Sequence, residues 1–471
     1  VIKRSLRTIV EGTGSPMGPS DLGGRLIVLR DTLRTQLWLL PSVGVGLALG
    51  LGVGLPQLDA RIGRDLPPWM TGYLFGGGAS AARTVLGAIA GSLITVTSLT
   101  FSMTLVTLQL ASSQFSPRLL RTFARDRFVQ ATLALFLATF IYALTVLRTI
   151  RSAGESREVF VPQIAVTTGF VLALVSVLAL VLFLAHLARE LRAETTLLRV
   201  HGEANETIRR VLPPRRFESV DVRPVSPPPE AVPLPAGASG FVLRMDESSL
   251  LSAAVEADVV LLIDCCPGSL LVAGTPMGAG WPRAATSFDA DIELRLTRQV
   301  ARAIRTGPER TAAHDVTYGL RQLIDVAVKA LSPGINDPTT AVHALGHVSV
   351  LLCDLAGRQL GPRPLRDERG RVRVMLYQPN LADLLTMTLA QPLHYGAHDS
   401  AVLAQMFFLL RDLAWCATSD QRPAIAHQLE VLRAEAAGRQ FGSREMARFD
   451  MLSKQVEQAL AGRWTPAWTP S

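Results

Sequence analysis

The sequence predicts an α-helical integral membrane domain of four transmembrane helices, followed by a cytosolic α+β domain in which a small β-barrel or sandwich precedes a helical bundle. Three observations predict it. Four long apolar runs fall before Glu190, arginines flank those runs unevenly, and beyond a proline-rich stretch the apolar pattern shortens and then becomes helical. The 471 residues allow about three domains on the usual size prior. A 48% hydrophobic content suits a membrane part joined to a packed soluble part. The net charge of +8 comes from arginines beside apolar runs rather than from a basic arm, so topology explains it better than nucleic acid, and no nucleic-acid partner is expected.

Residues 1–34 are a basic cytosolic N-terminus carrying Lys3, Arg4, Arg7, Arg25, Arg30 and Arg34, and residues 35–189 hold the four spans. The first span, Leu37 to about Leu58, imitates a signal peptide, but the basic region is long, no cleavage site convinces and more apolar runs follow, which predicts an uncleaved helix. Gly46, Gly50 and Gly54 recur every four residues, the spacing that opens a groove for another helix, while Gly44 and Gly52 thin the rest. The third span is about Phe128 to Leu147 and the fourth about Val161 to Leu187. Arg118, Arg121, Arg125 and Arg127 lie between spans two and three, and Arg189, Arg192, Arg199, Arg209 and Arg210 follow span four. Positive charge biased inward then places both termini in the cytoplasm, in the inner (plasma) membrane.

The second span organises the rest. Thr84 to Arg118 has no charge between Arg83 and Arg118 and is rich in hydroxyls and amides. Helical stepping puts Thr84, Gly91, Thr95, Ser98, Ser102, Gln109 and Ser113 along one stripe, with Thr97, Thr100, Thr104 and Thr107 opposite. One reading is close helix approach with hydroxyls bonding back to their own carbonyls. The other is a wetted path, for which Gln109 speaks, because a primary amide needs partners or water at that depth. In that reading Thr95, Ser98, Ser102, Gln109 and Ser113 line the path, and Gln114, Arg118 and Arg121 form a basic cytoplasmic mouth.

Residues 190–239 read as a juxtamembrane helix and Pro-rich linker. Glu190 to Leu212 is a charged amphipathic continuation of span four, suited to solvent or to headgroup depth, and Pro213, Pro214, Pro224 and Pro227 to Pro229 end it. Residues 240–288 are a small β-rich subdomain with strands at Gly240 to Met245, Asp258 to Cys266 and Ser269 to Ala273. Residues 289–462 are mainly helical, interrupted by a hairpin at Arg366 to Tyr377, and 463–471 form a tail. Cys265, Cys266, Cys353 and Cys416 lack zinc-like spacing and are expected as reduced thiols.

One connection is sharply defined. In ALSPGINDPTT, Pro333 and Gly334 stop a helix, while Asp337 then Pro338 has the chemistry of an N-cap with proline in the first turn. A helix–turn–helix joint explains nearly all of it, leaving Ser332 and Asn336 to present a small ion site. His343 and His347 sit four apart on a helix and His314 precedes it, so the three are weak metal candidates without an HExxH partner set. No Walker loop or GxSxG elbow occurs, and neither a cofactor nor a catalytic residue is indicated.

The segments QLASSQFSPRLLRTFARD, LARELR after His186, RTAAHDVTYGLRQLIDVAVKALSPGINDPTTA and PLHYGAHDS resemble the bacterial predicted membrane proteins grouped as domain of unknown function 2254 (DUF2254). The resemblance runs from the first span to about Ala414. It implies the four-helix membrane part and one continuous unit with a cytosolic domain, and implies no reaction. The chain departs from the family pattern at His314, where glutamine is usual, and at His186, where a histidine pair is common.

The expected function is an oligomeric channel for ions or small solutes, lined by span two and gated by the cytosolic domain. The alternatives are a membrane-tethered sensor or scaffold and a membrane-associated metalloenzyme. The partners expected are the lipid bilayer and further copies of the chain.

Overall fold

A computed structural model describes residues 39–62, 73–114, 126–151, 160–190, 193–215, 226–283 and 290–464. The chain divides into two compact units, with the boundary at Leu191 and Arg192.

The first unit holds α1 (Leu39–Ile62), α2 (Ala79–Gln114), α3 (Arg127–Leu147) and α4 (Gln163–Glu190). Helix α3 is its centre: Phe136, Tyr142, Ala143 and Val146 are fully buried. Helix α1 lies against α3 through Gly44, Ala48 and Gly52, not through the glycines expected to make that contact. A Cβ on Gly44 would stand 3.1 Å from the Ala134 carbonyl oxygen and one on Gly52 would stand 2.8 Å from Thr145 Cβ, whereas Gly46, Gly50 and Gly54 face open space. Both glycine series have helical spacing, and which one meets α3 depends on how α1 is rotated.

Polar groups in this unit are matched across helices, as an apolar solvent requires. The Asp59 carboxylate of α1 accepts the first backbone N–H groups of α4, from Ile164 at 3.1 Å and Ala165 at 3.0 Å. The Tyr142 hydroxyl donates to the Ala165 carbonyl at 2.8 Å, and Thr139 and Ser176 share a buried hydroxyl contact at 3.2 Å. Asp126 caps α3 through the Phe128 N–H and pairs at 2.5 Å with Nε2 of His186, on α4. Outside these contacts α4 presents an apolar face of Val177, Leu178 and Val181, each about 60% exposed, as a surface meant for lipid would.

The second unit opens with α5 (Ala193–Val211) and β1 (Val232–Pro235), followed by β2 (Gly240–Met245), α6 (Glu247–Glu256), β3 (Val259–Ile263), β4 (Leu270–Leu271), β5 (Pro276–Pro282), α7 (Ala290–Ala303) and β6 (Ile304–Gly307). Then come α8 (Val316–Ala330), α9 (Pro338–Ala356), β7 (Arg363–Arg366), β8 (Val372–Leu376), α10 (Leu381–Gly396), α11 (Ser400–Cys416), α12 (Arg422–Ala437) and α13 (Ser443–Leu460). The expected barrel is corrected: among the described residues the strands form two open sheets, in the orders β1-β5-β3-β8-β7 and β4-β2-β6. Both sheets use strands from outside 240–288. Strand β1 rises in the proline-rich stretch, where Pro233 and Pro235 are tolerated because β1 is an edge. Strands β6, β7 and β8 come from the mainly helical stretch, and β8 runs parallel to β3 with Leu261 opposite Val374. In β3, Val259, Leu261 and Ile263 alternate inward onto a core shared with α6 and α7.

Among the described residues five helices, not four, are long and apolar enough to cross a membrane: α1 to α4 and Pro338–Ala356, which is α9. The fifth belongs to the second unit. Its Ala344, Leu345, Val348 and Leu352 are fully buried among α5, α8 and α11, and a helix at the centre of a layer is apolar on most sides.

Candidate functional site

The stripe on α2 comes first. Thr84, Gly91, Thr95, Ser98, Ser102 and Gln109 all lie exposed on the surface of the first unit. The opposite row turns inward: Thr100 is 1% exposed, and Thr104 and Thr107 are buried. Thr100, Thr104 and Thr107 donate to the carbonyls of Val96, Thr100 and Met103 at 2.7–2.9 Å, and Thr95 likewise returns to Gly91 at 3.2 Å. Hydroxyls can satisfy themselves in this way. A primary amide such as that of Gln109 carries two N–H donors and a carbonyl oxygen, more than one such bond satisfies. Ser113 and Gln114 fall in the last turn of α2, where no side chain is described, and Arg118 and Arg121 lie outside the described residues.

The second site lies in the α+β unit, where α5 docks. The sequence reading placed α5 in solvent or among headgroups. It instead buries Leu197, Val200, Ala204 and Ile208 against α8 and α9, and the charges that suggested solvation occupy only its outer face. Thr207 and Arg210 donate to the carbonyls of Ala312 and Ala313, each at 3.0 Å. The Leu212 carbonyl receives Arg358 at 3.1 Å, and Arg215 grips the Asp420 carboxylate with two contacts of 2.9 Å. Gly319 of α8 lets Ala204 approach so closely that a Cβ there would overlap it.

Where α5 ends, a cleft of about 140 Å³ opens between Val211 to Pro213, Cys266, His314, Thr317 and Tyr377, with the Glu247–Arg363 ion pair on its edge. Two chain features adjoin its lining residues. Asp315 caps α8 through the Thr317 N–H at 3.0 Å and is clasped by Arg310 at 2.6 and 2.8 Å. Gly268, at φ +94°, passes so near Asp315 that any side chain would collide with the carboxylate. Burial first, then Arg244 and Arg210, hold the His314 imidazole below its ordinary value. Burial pushes the Cys266 thiol up, despite its contact with Ser269, and burial followed by Asp383 does the same to Tyr377. All three are therefore neutral near pH 7. The cleft can bind by hydrogen bonds and apolar contact, and Cys266 lacks the thiolate that nucleophilic catalysis requires.

The SPGINDP segment is a helix–helix joint. Asp337 caps α9 through the Thr340 N–H at 3.1 Å and its hydroxyl at 2.6 Å, with Pro338 in the first turn. Ser332 spends its hydroxyl on the Lys329 carbonyl at 2.7 Å, closing α8, while Pro333 and Gly334 are exposed. Asn336 takes φ +50° and is exposed, a conformation asparagine accepts more easily than most residues. The histidines separate by role: His314 lines the cleft, His343 is exposed, and His347 faces His201 of α5. Among the described residues no three His, Cys, Asp or Glu side chains gather as a metal cluster. His201 escaped the sequence reading, yet it and Asn205 recur one turn apart near the apolar row of α5, and that spacing was the available signal.

Long apolar helices with a polar face, joined to an α+β unit, define a predicted multi-pass membrane protein with an appended globular part. The model of the predicted membrane protein family DUF2254 matches residues 34–412, and the chain belongs to that family. It is 35% identical over 428 residues to the uncharacterized proteins Mb1321c of Mycobacterium bovis (strain ATCC BAA-935 / AF2122/97) and Rv1290c of Mycobacterium tuberculosis (strain ATCC 25618 / H37Rv), covering 90% of this chain and 80% of each relative. No solved structure matches it.

Proposed function

We propose that copies of this chain assemble in the plasma membrane around the exposed face of α2 and form a conducting path for ions or small solutes. The observation that supports it most is Gln109. It is exposed near the end of the apolar helix α2, and an amide left unpaired in hydrocarbon costs several kcal/mol, which favours its meeting another copy or water. Thr95, Ser98, Ser102 and Ser113 then continue the wetted stripe, and Gln114, Arg118 and Arg121 concentrate anions at a cytoplasmic mouth. In this reading α1 to α4 are the spans, and the arginine bias favours a cytoplasmic side for both termini and the α+β unit. Gating in this reading acts through α5, which is docked on the α+β unit and borders its cleft.

The test is current across planar bilayers holding the purified protein, wild type beside Gln109→Leu and Ser102→Leu, with cross-linking to monitor assembly. Conductance that is lost or altered while cross-linking persists supports the path. Unaltered conductance in both variants removes α2 as its lining. A second reading, a membrane-tethered sensor or scaffold, draws on the hydroxyls of Thr95, Thr100, Thr104 and Thr107, which bond within their own helix and need no water. In that case no current appears and Gln109→Leu changes little.

A further inference from the structure

Besides Oγ1 of Thr196, helix α5 carries two further buried polar atoms, Nδ1 of His201 and Oδ1 of Asn205, that find no hydrogen-bond partner among the described residues. They are one helical turn apart, so their side chains leave the same face of the helix. Both atoms can offer an electron pair, one from an imidazole and one from an amide carbonyl. Leaving such groups buried and unmatched costs roughly 1–3 kcal/mol each, which makes their juxtaposition on one face informative.

Across from them, His347 of α9 places its ring centroid 5.1 Å from that of His201, with the planes inclined at 52°. That separation matches shared ligation. With metal–nitrogen bonds of about 2.1 Å, and the ring centre about 1.2 Å beyond each nitrogen, two imidazoles on a tetrahedral ion have centroids about 5 Å apart. His343, one turn earlier on α9, is exposed.

We propose that His201, His347 and the Asn205 side-chain oxygen form a binding site for a divalent transition metal of the zinc class between α5 and α9. Imidazole ligands favour zinc over magnesium or calcium, and the open position falls to water. The sequence-based grouping of His343 and His347 with His314 is thereby altered, because His314 belongs to the cleft and His201 takes its place. A bound ion would fasten α5 to α9 and stabilise the α+β unit by mass action. The proposal does not depend on conduction, and its test reads no current.

The experiment is calorimetric titration of ZnCl2 into chelator-stripped, tag-free full-length protein in detergent, with thermal unfolding in parallel. One equivalent per chain is expected, together with a rise in Tm. His201→Gln and His347→Gln should each weaken zinc at least tenfold while keeping the wild-type Tm in EDTA, which shows that they fold. His314→Gln should bind as wild type. Absence of stoichiometric zinc binding to wild type overturns the site, as does wild-type affinity in His201→Gln or an equal loss in His314→Gln.

Discussion

Gly319→Ala should loosen α5 from the α+β unit, although helix propensity alone argues the reverse. Gly319 lies inside α8, and a glycine there costs about 1 kcal/mol relative to alanine, so a solvent-facing site would gain that much on substitution. Here the new methyl would overlap Cβ of Ala204 and stand 3.1 Å from its Cα. Overpacking costs roughly 1–3 kcal/mol, and the upper half of that range applies because α5 backbone lies behind the Ala204 methyl. Subtracting the propensity gain leaves a net loss of about 1–2 kcal/mol, or roughly 2–8 °C in the unfolding of a unit this large. Hydrogen exchange resolved by mass spectrometry on the full-length protein localises the effect. Peptides from Ala193–Val211 should exchange faster, while those from β3 and β8 stay protected. Adding Ala204→Gly should recover much of the loss, with a coupling of about 1–2 kcal/mol between the two sites. A Gly319→Ala protein that melts higher, with α5 exchange unchanged, would refute the packing argument.

Two further outcomes are expected in solution. Burial first, then Cys266 and Asp264, push the Cys265 thiol up to about 12, leaving about one thiolate in 10⁴ at pH 8, whereas Cys416 is exposed. N-Ethylmaleimide should therefore label Cys416 well before Cys265, read by peptide mass spectrometry, and equal rates would contradict the buried environment. The Asp337 carboxyl is held below its ordinary value by the Thr340 hydroxyl and backbone N–H. Its contribution is thus complete above the unfolded carboxylate value, about pH 4, and fades as pH falls through the lowered folded value. Asp337→Ala should cost about 1 kcal/mol at pH 7 and progressively less under acid, measured by denaturant titration at each pH.

Much of the fold could be read along the chain because the signals are local. The Asp337 cap with Pro338 and the β2 limits at Gly240 and Met245 depend on neighbours a few positions away. The hairpin expected at Arg366 to Tyr377 rests on the same kind of signal, and β7 and β8 pair there. Errors arose where one local pattern suits two surroundings. An amphipathic helix such as α5 fits a lipid headgroup layer or a protein core equally well by periodicity. The same ambiguity touches α9, expected in the mainly helical stretch and buried there, although its length and composition also suit a membrane span. Short strands reveal their alternation but not whether their sheet closes, so an open pair of sheets was read as a barrel or sandwich.

The candidate sites divide along the same line. The polar stripe of α2 was visible as a spacing, since helical geometry alone sorts Ser98, Ser102 and Gln109 from Thr100, Thr104 and Thr107. Which row turns inward was decided by packing in the first unit, which buries the threonines and leaves the amide outside. The meeting of His201 with His347, and of Cys266 with His314 and Tyr377, joins positions far apart in the chain. No periodicity carries that information. By itself the sequence determined the apolar runs, the Asp337 cap, the β2 limits and the family resemblance. Only tertiary structure decided which faces meet, because long-range contacts are selected by the combined shape of many side chains rather than by any short run of them.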